Sequence, residues 1–419
     1  MHHFQYRGDD LYCEEVPVAQ IASGVGTPVY IYSHATLTRH FTVFDEAFAG
    51  VPHLLCFAMK ANANLAVLRL FSDLGGGLDV VSGGELYRGL RAGVPPQRIV
   101  YAGVGKSREE IGYALKSDIL MFNVESGQEL RLINEVAVGM GMRARIALRV
   151  NPDVDPKTHP YISTGLKKSK FGIDIGQALE EYEAARGLPA LDVVGIHQHI
   201  GSQITELGPF VDSLEKTAAL VRTLRERGTN VRYLDVGGGL GITYKDEEPP
   251  LLADFARALI GVIRDLDVTL VLEPGRVLAG NAGILVTRVL YTKRSPAKNF
   301  VVVDAGMNDL ARPSLYGSYH GIQPVRRAAG RPEVTVDVVG PICESGDFLA
   351  KDRALARCEP GELLAVMSAG AYGHTMSSNY NARPRAPEVM VQGDRFYVVR
   401  ERETFEDLVR GERTLDEMS

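Results

Sequence analysis

Leu54-Leu55-Cys56-Phe57-Ala58-Met59-Lys60-Ala61-Asn62 decides the reading of this chain, because an apolar run ends on a lysine and a helical pattern follows from about Asn64. A short apolar run bounded this way reads as a buried strand. Its lysine is awkward to place, since the ammonium must leave water unless something at the strand end uses it. Desolvation lowers a lysine's pKa, and a neutral amine forms Schiff bases with aldehydes. A lysine snorkelling from a strand end into solvent is the plainer reading of this strand by itself. The residues farther along favour the nucleophile.

Working outward, apolar runs rich in Val, Ile and Leu recur at Leu54–Ala58, Leu78–Val81, Ile99–Ala102, Ile119–Phe122, Ile146–Val150, Val193–His197, Tyr233–Val236 and Leu270–Leu272. Helical spacing fills the intervals at Leu65–Leu74, Glu85–Ala92, Arg108–Leu115, Gln128–Val138, Ala178–Ala185, Phe210–Arg227 and Leu252–Asp265. Eight parallel strands buried on both faces predict an α/β fold, a TIM-type (β/α)8 barrel, with a doubly wound open sheet as the other solution. Polar and glycine-rich chemistry follows the strands: Lys60, then Asp79 to Glu85, Arg149-Val150-Asn151, His197 to Gln203, Asp235 to Gly241, and Glu273-Pro274-Gly275-Arg276. In a barrel those ends converge on one ligand-binding rim, which favours the closed form.

At 419 residues with 45% apolar content, two domains are expected. The barrel is assigned to residues 33–280. Residues 281–419 carry β-type runs at Ile284–Tyr291, Phe300–Asp304, Val334–Val339, Leu363–Ser368 and Pro387–Arg400, punctuated by Gly, Pro and Asn. With residues 1–32, which end in the extended Val29-Tyr30-Ile31-Tyr32, they are expected to form a mostly antiparallel β domain. A net charge of −6 without a basic stripe argues against nucleic acid, and no apolar run is long enough to span a bilayer. The N-terminus shows no export or import signal, and four scattered cysteines (Cys13, Cys56, Cys343, Cys358) fit free thiols in a reduced cytoplasm.

Gly237-Gly238-Gly239-Leu240-Gly241, directly after a strand, can present backbone N–H groups to an anion, although glycine runs also mark plain turns. Glu273 and Arg276 add a carboxylate and a guanidinium one strand over. An amine, an anion cradle and an acid are the three requirements of pyridoxal 5'-phosphate: aldehyde, phosphate and ring nitrogen. A carboxylate at the ring nitrogen keeps it protonated, so that the ring accepts electrons. His199 is placed to stack on the ring face, a contact worth about 0.5–1.5 kcal/mol that orients more than it binds. No metal is expected.

Phe57-Ala58-Met59-Lys60-Ala61-Asn62, Asp79 to Leu86, His197 to Gln203, the Gly237–Gly239 run and Glu273-Pro274-Gly275-Arg276 together resemble the alanine-racemase-type, fold type III decarboxylases that use pyridoxal 5'-phosphate. The likeness covers essentially the whole chain and is greatest to the branch acting on meso-2,6-diaminopimelate, whose products are L-lysine and carbon dioxide. It implies that Lys60 holds the cofactor aldehyde, that Glu273 pairs with the ring nitrogen, and that His199 stacks on the ring. Ser202, Gly238, Gly239, Gly275 and Arg276 would hold the phosphate or lie against it, with Asp79 near the cofactor.

Asp304 to Tyr316 resembles the family segment whose Arg312 and Tyr316 take the substrate's distal carboxylate. Gly340 to Asp347 resembles the one carrying a proton-donating cysteine, Cys343, and an acid for the distal amine, Glu344; Tyr372 belongs to a turn that reaches cofactor and substrate. In the family Cys343 and Glu344 enter from a second subunit, so a homodimer is implied. Specificity has a physical basis too: Arg276 and Arg312 with Glu344 can read a distal zwitterion, whereas an ornithine site needs only acids. Such charge-assisted bonds contribute roughly 1.5–3 kcal/mol each.

Other readings stand beside this one. His197 and His199, two apart on a strand, also suit a metal-dependent barrel hydrolase, and His197 alone reads as a packed core residue. A non-catalytic pyridoxal-phosphate carrier and a sister decarboxylase for ornithine, arginine or carboxynorspermidine are the remaining rivals. Asp79 and Glu85 read equally as groups beside the cofactor or as helix-start residues. The long connection from Pro152 to Gly172 reads as a lid or entry loop, and its Lys167-Lys168-Ser169-Lys170 run as a solvated face. Phe57 and Gln198 depart from the commonest family wording, and Gln198 is a candidate for the pocket lining.

Overall fold

The structure, a computed structural model, describes residues 2–156, 158–159, 162, 164–165 and 169–418. It divides into two compact units, Thr38–Leu278 and Met1–Leu37 with Ala279–Ser419.

In the first unit every strand expected from the apolar runs is present: β1 (His53–Ala58), β2 (Gly77–Val80), β3 (Ile99–Tyr101), β4 (Met121–Val124), β5 (Ala144–Asn151), β6 (Leu191–His197), β7 (Tyr233–Asp235) and β8 (Thr269–Leu272). All neighbours pair in parallel, and β8 pairs back onto β1, so the ring is a closed (β/α)8 barrel rather than an open sheet. Its interior holds an apolar layer of Cys56, Val100, Met121, Ala147, Val194 and Val271, one from each of as many strands. Side-chain alternation sends the neighbouring residues outward. Phe57, the departure noted above, is thereby explained: it is fully buried with its ring centroid 4.6 Å from that of Phe71 on the helix Leu65–Asp73. Burial of this kind contributes about 1.5–3 kcal/mol.

Short polar residues start the helices where the strands end. Asn64 caps Leu65–Asp73 by accepting from Ala66 N at 2.9 Å, and Ser82, Ser107 and Ser126 cap the next three through Glu85, Glu110 and Glu129. Each such cap contributes about 1 kcal/mol and fixes where the chain turns off the rim. Ser33 stands before the helix His34–Ala47, and its hydroxyl takes the Thr36 N–H at 3.0 Å.

The second unit is a β domain centred on the long strand Gly283–Arg294, which pairs antiparallel with Val29–Ser33, Asn299–Val303 and Leu363–Val366. Most pairs are antiparallel; Asn299–Val303 with Glu333–Val339 and Val29–Ser33 with Glu388–Gln392 are parallel. Its core packs Ile31, Ile284, Val286, Ala365 and Val389 against Leu11, Ile21 and Val325. Several elements escape a periodicity reading, and two of them show why. Phe348–Ala356 is a strand whose Lys351-Asp352-Arg353 centre hides the alternation, because Asp352 sits at φ +48° in a bulge against Val336 and Val338. Arg312–Tyr316 is a one-turn helix inside a stretch that shows no helical pattern.

Candidate active site

Lys60 lies in the 3-10 turn Met59–Ala61 that β1 runs into, and its Nζ is 2.8 Å from Asp79 Oδ2 at the end of β2. Asp79 is fully buried, whereas the lysine side chain keeps 37% of its exposure. Burial and the nearby Glu273 raise the Asp79 carboxyl, and the Lys60 ammonium works against them. Glu85 accepts from Val81 N at 2.7 Å and is pushed up to about 7 by burial. Asp79 is thus a strand residue paired with Lys60, and Glu85 belongs to a helix start.

The floor of the site is a knot of strand-end side chains. Asn123, on β4, donates from Nδ2 to Asp235 Oδ2 at 3.0 Å and to Glu273 Oε1 at 3.3 Å. His197 Nε2 stands 3.6 Å from Glu273 Oε1, within ion-pair reach but beyond a hydrogen bond. Burial pushes both Asp235 and Glu273 up, yet His197 and Lys60 outweigh it at Glu273, which is held below the usual carboxylate range. The two neighbouring buried acids are thus pushed in opposite directions. His197 is buried as a core residue is, but it faces the acid knot.

Gly238 N donates to His199 Nδ1 at 3.1 Å, so Nδ1 is the acceptor and the ring proton sits on Nε2. Burial together with the charge of Arg149 keeps this imidazole neutral, its pKa lowered well below the ordinary value. A Cβ on Gly238 would lie 2.1 Å from the Glu273 carbonyl oxygen, and one on Gly239, at φ +117°, would lie 2.5 Å from that of Gly201. Only glycine tolerates both approaches. Gly275 precedes Arg276 on the short helix Arg276–Ala279, and both are buried. Arg276 donates to Ser202 Oγ at 3.0 Å and to the Tyr244 hydroxyl at 2.7 Å.

A second buried acid ties the rim together. Glu125 takes Arg149 Nη1 at 2.8 Å, Gly172 N at 2.8 Å and Gly103 N at 3.2 Å, and Arg149 lies 4.6 Å over the Phe171 ring. The end of the Pro152–Gly172 connection is thus bound to the β4 and β5 ends. Lys157, Lys167 and Lys168 of that connection lie outside the described residues, while Lys170 Nζ is 5.3 Å from the Phe171 ring centroid.

Lys60, Ser82, Arg149, Phe171, His199 and Glu273 are among the residues that line an open cavity of about 510 Å³. That volume suits a small cofactor with its substrate. The residues fit pyridoxal 5'-phosphate on three observations: an amine on the wall, a buried acid kept ionised for a ring N–H⁺, and a glycine turn with Ser202 and Arg276 for a phosphate. His197, Asp235 and Glu273 also bring three donor atoms within 4.8 Å of one another. Asn123 donates to both carboxylates and Gly237 N to Asp235 Oδ1 at 3.0 Å, which spends lone pairs a cation would need.

Gln198 does not line this cavity. Side chains alternate along a strand end, so His197 and His199 face inward while Gln198 Oε1 accepts from Ser213 at 2.7 Å and Thr217 at 2.5 Å on the helix Gly208–Glu226.

In the β unit Arg312 is buried, its Nη1 is 2.8 Å from His320 Nε2, and its Nη2 is 3.3 Å from Ser318 Oγ. Tyr316 is half-buried on the same helical turn. Asp347, its carboxyl raised by burial, accepts from Met307 N and Ile342 N, both at 2.6 Å, and so ties the Asp304–Tyr316 and Gly340–Asp347 segments together. Cys343 and Glu344 are exposed on that turn: Asn381 Oδ1 takes the Cys343 N–H at 2.8 Å, and Glu344 accepts from the Tyr380 hydroxyl at 2.9 Å. Tyr372 stands at φ +55°, in the left-handed region that tyrosine seldom adopts. All four cysteines are free thiols.

The sequence places Arg149 on the rim without a specific role, and Asn123, Glu125, Tyr244 and His320 were not anticipated from it. For Asn123 and Arg149 the signal was there, a polar residue inside an apolar strand. Tyr244 and His320 lie in loops without periodicity.

A barrel carrying such a set of strand-end groups is a pyridoxal-dependent decarboxylase barrel, and residues 34–280 match the family model described as "Pyridoxal-dependent decarboxylase, pyridoxal binding domain". The chain is 52% identical over 415 residues to the diaminopimelate decarboxylase of Pseudomonas aeruginosa, covering 99% of this chain and 100% of that one. It is 51% identical to that of Aquifex aeolicus, over 97% and 96% of the two chains. The crystal structure of diaminopimelate decarboxylase from Helicobacter pylori complexed with L-lysine superposes with a TM-score of 0.91 at 44% identity, covering 96% of this chain and 99% of that one. The chain belongs to the diaminopimelate decarboxylase family of pyridoxal-phosphate-dependent lyases. Among the described residues no helix is long and apolar enough to cross a membrane.

Proposed function

We propose that this chain decarboxylates meso-2,6-diaminopimelate to L-lysine and carbon dioxide, the last step of lysine biosynthesis, with pyridoxal 5'-phosphate as cofactor. The observation that carries the reading is Lys60 on the wall of the same cavity as the ionised Glu273, in a chain about half identical to enzymes of that name. Bound there, the cofactor supplies an electron-accepting ring for the bond that releases carbon dioxide. Lys60 offers the amine that holds and releases the aldehyde, with Asp79 beside it to stabilise the ammonium form. Glu273 holds its charge against burial for the ring nitrogen, and neutral His199 on the cavity wall offers its ring for stacking.

Gly238, Gly239, Gly275, Ser202 and Arg276 hold the phosphate. In the β unit, Arg312 and Tyr316, with Arg276, take the distal carboxylate, Glu344 the distal amine, and Tyr372 contacts cofactor and substrate. The Cys343 Sγ–H gives its proton to the carbon that lost the carboxylate. An exposed cysteine and acid on one turn suit action in the site of a second copy, so the working form is a homodimer in the cytoplasm.

Purified protein given meso-diaminopimelate should release carbon dioxide and L-lysine, and should leave L-ornithine, L-arginine and L-lysine intact. A substrate without the distal carboxylate forgoes the charge-assisted bonds that Arg312 offers, which supports rejection by about 10⁴–10⁵. Brisk turnover of any of the three would remove the assignment.

A further inference from the structure

Arg312 needs more than a charge to read a carboxylate: its planar fork must be held at one angle. The group that holds it is His320, completely buried and eight residues along the chain. Its two ring nitrogens have unlike partners. Nδ1 is 2.8 Å from the Met367 carbonyl oxygen, which can only accept, and Nε2 is 2.8 Å from Arg312 Nη1, which can only donate. The ring therefore carries its proton on Nδ1 and presents a bare Nε2 lone pair to the guanidinium. A charged imidazole would set two donors face to face. Arg353 Nη1 donates to the His320 carbonyl at 2.7 Å, which adds a second fixed point on the same residue.

Met367 is not an arbitrary anchor. It ends the strand Leu363–Val366, its own N–H goes to Gly321 O at 2.7 Å, and the next residue, Ser368, stands at φ +56°. That residue opens the turn Ser368–Gly373, whose Tyr372 is at φ +55° and whose Gly370 and Gly373 would each place a Cβ within 2.4 Å of a backbone oxygen. A single imidazole thus bridges one buried arginine and the residue that leads into this turn.

We propose that His320 is a positioning residue for substrate recognition: as a neutral acceptor it fixes the Arg312 guanidinium and couples it to the turn that carries Tyr372. The proposal deepens, and rests on, the reading of Arg312 as the reader of the substrate's distal carboxylate. His320 touches neither substrate nor cofactor in this scheme.

The test uses the holoenzyme and three variants. His320→Asn keeps a donor for the Met367 carbonyl and withdraws the acceptor from Arg312. His320→Gln restores an acceptor near the Nε2 position. Arg312→Met removes the reader. For each, kcat and KM with meso-diaminopimelate are measured, together with inhibition by pimelate, a dicarboxylate without amines, and by 1,5-diaminopentane, a diamine without carboxylates. His320→Asn should raise KM and weaken pimelate inhibition by roughly 10- to 100-fold, with kcat and diaminopentane inhibition nearly unmoved and His320→Gln recovering most of the loss. A merely structural histidine would lower kcat or weaken both inhibitors together, and that result overturns the proposal. If Arg312→Met weakens pimelate and both His320 variants leave it unchanged, the positioning role falls and the reading of Arg312 stands. If Arg312→Met leaves pimelate inhibition unchanged, the reading itself falls and the role of His320 goes with it.

Discussion

Arg276 in the barrel and Arg312 in the β unit are buried almost equally, at 6% and 5% exposure, and each is held by a serine and one aromatic side chain. They differ in where those partners come from. Ser202 and Tyr244 lie 74 and 32 residues from Arg276, on loops that meet it because the ring of strands closes. Ser318 and His320 lie 6 and 8 residues beyond Arg312, within one local turn. The barrel site is therefore a product of global topology, and damage to it should reach the cofactor and the fold; the direct side-chain partners of Arg312 are near in sequence, and damage to Arg312 itself should stay with the substrate.

The sharpest way to break that contrast sets Lys60→Ala against Cys343→Ala. The first should lose the visible absorbance of the bound cofactor and turnover by about 10⁴-fold or more, whereas the second should keep the absorbance and lose rate by roughly 10²- to 10⁴-fold. Absorbance and single-turnover measurements separate them, and activity surviving in Lys60→Ala would refute the nucleophile. Next in size, Arg276→Met should let the cofactor dialyse away, seen as absorbance lost from the protein fraction; if it altered KM alone, the two arginines would not differ as argued.

Glu125→Ala should cost about 3 kcal/mol in chemical denaturation, since it strands Arg149 in a buried setting and frees two backbone N–H groups. A loss under 1 kcal/mol would mean that the rim does not depend on this acid.

The smallest effects test burial in each unit. Glu85 in the barrel and Asp309 in the β unit are both pushed up to about 7 by burial. An acid that holds its proton longer when folded than when unfolded makes stability fall as pH rises from about 4 to about 7. Glu85→Gln and Asp309→Asn should remove that fall, gaining about 1 kcal/mol or more on the parent between about pH 5 and about pH 8. Urea midpoints at the two pH values check it, and a gain independent of pH would contradict it.

The barrel was legible because its strands are runs of mostly buried residues and the helices after its first four strands begin at a short polar cap, so periodicity and local chemistry agree. The rim was legible wherever a polar residue ends an apolar run, as at Lys60, Asp79, His199 and Glu273. What periodicity could not give were contacts made by loops, such as Tyr244 on Arg276 and His320 on Arg312, which depend on tertiary closure or on a turn without repeat. The strand Phe348–Ala356 was hidden for a different reason, a bulge that puts three charged residues in its middle. Gln198 shows the finer limit: its position beside two inward histidines suggested the pocket, and only the alternation of side chains sends it to the helix behind.

Gly238 lies flush against the carbonyl of Glu273, with no room between them for a single methyl group. The end of the site that cradles an anion and the end that offers a carboxylate are in consequence two faces of one block, like a caliper whose jaws have been welded at one opening. Such a gauge sorts ligands by span before any charge is counted, and no side-chain rearrangement at either jaw can reset it.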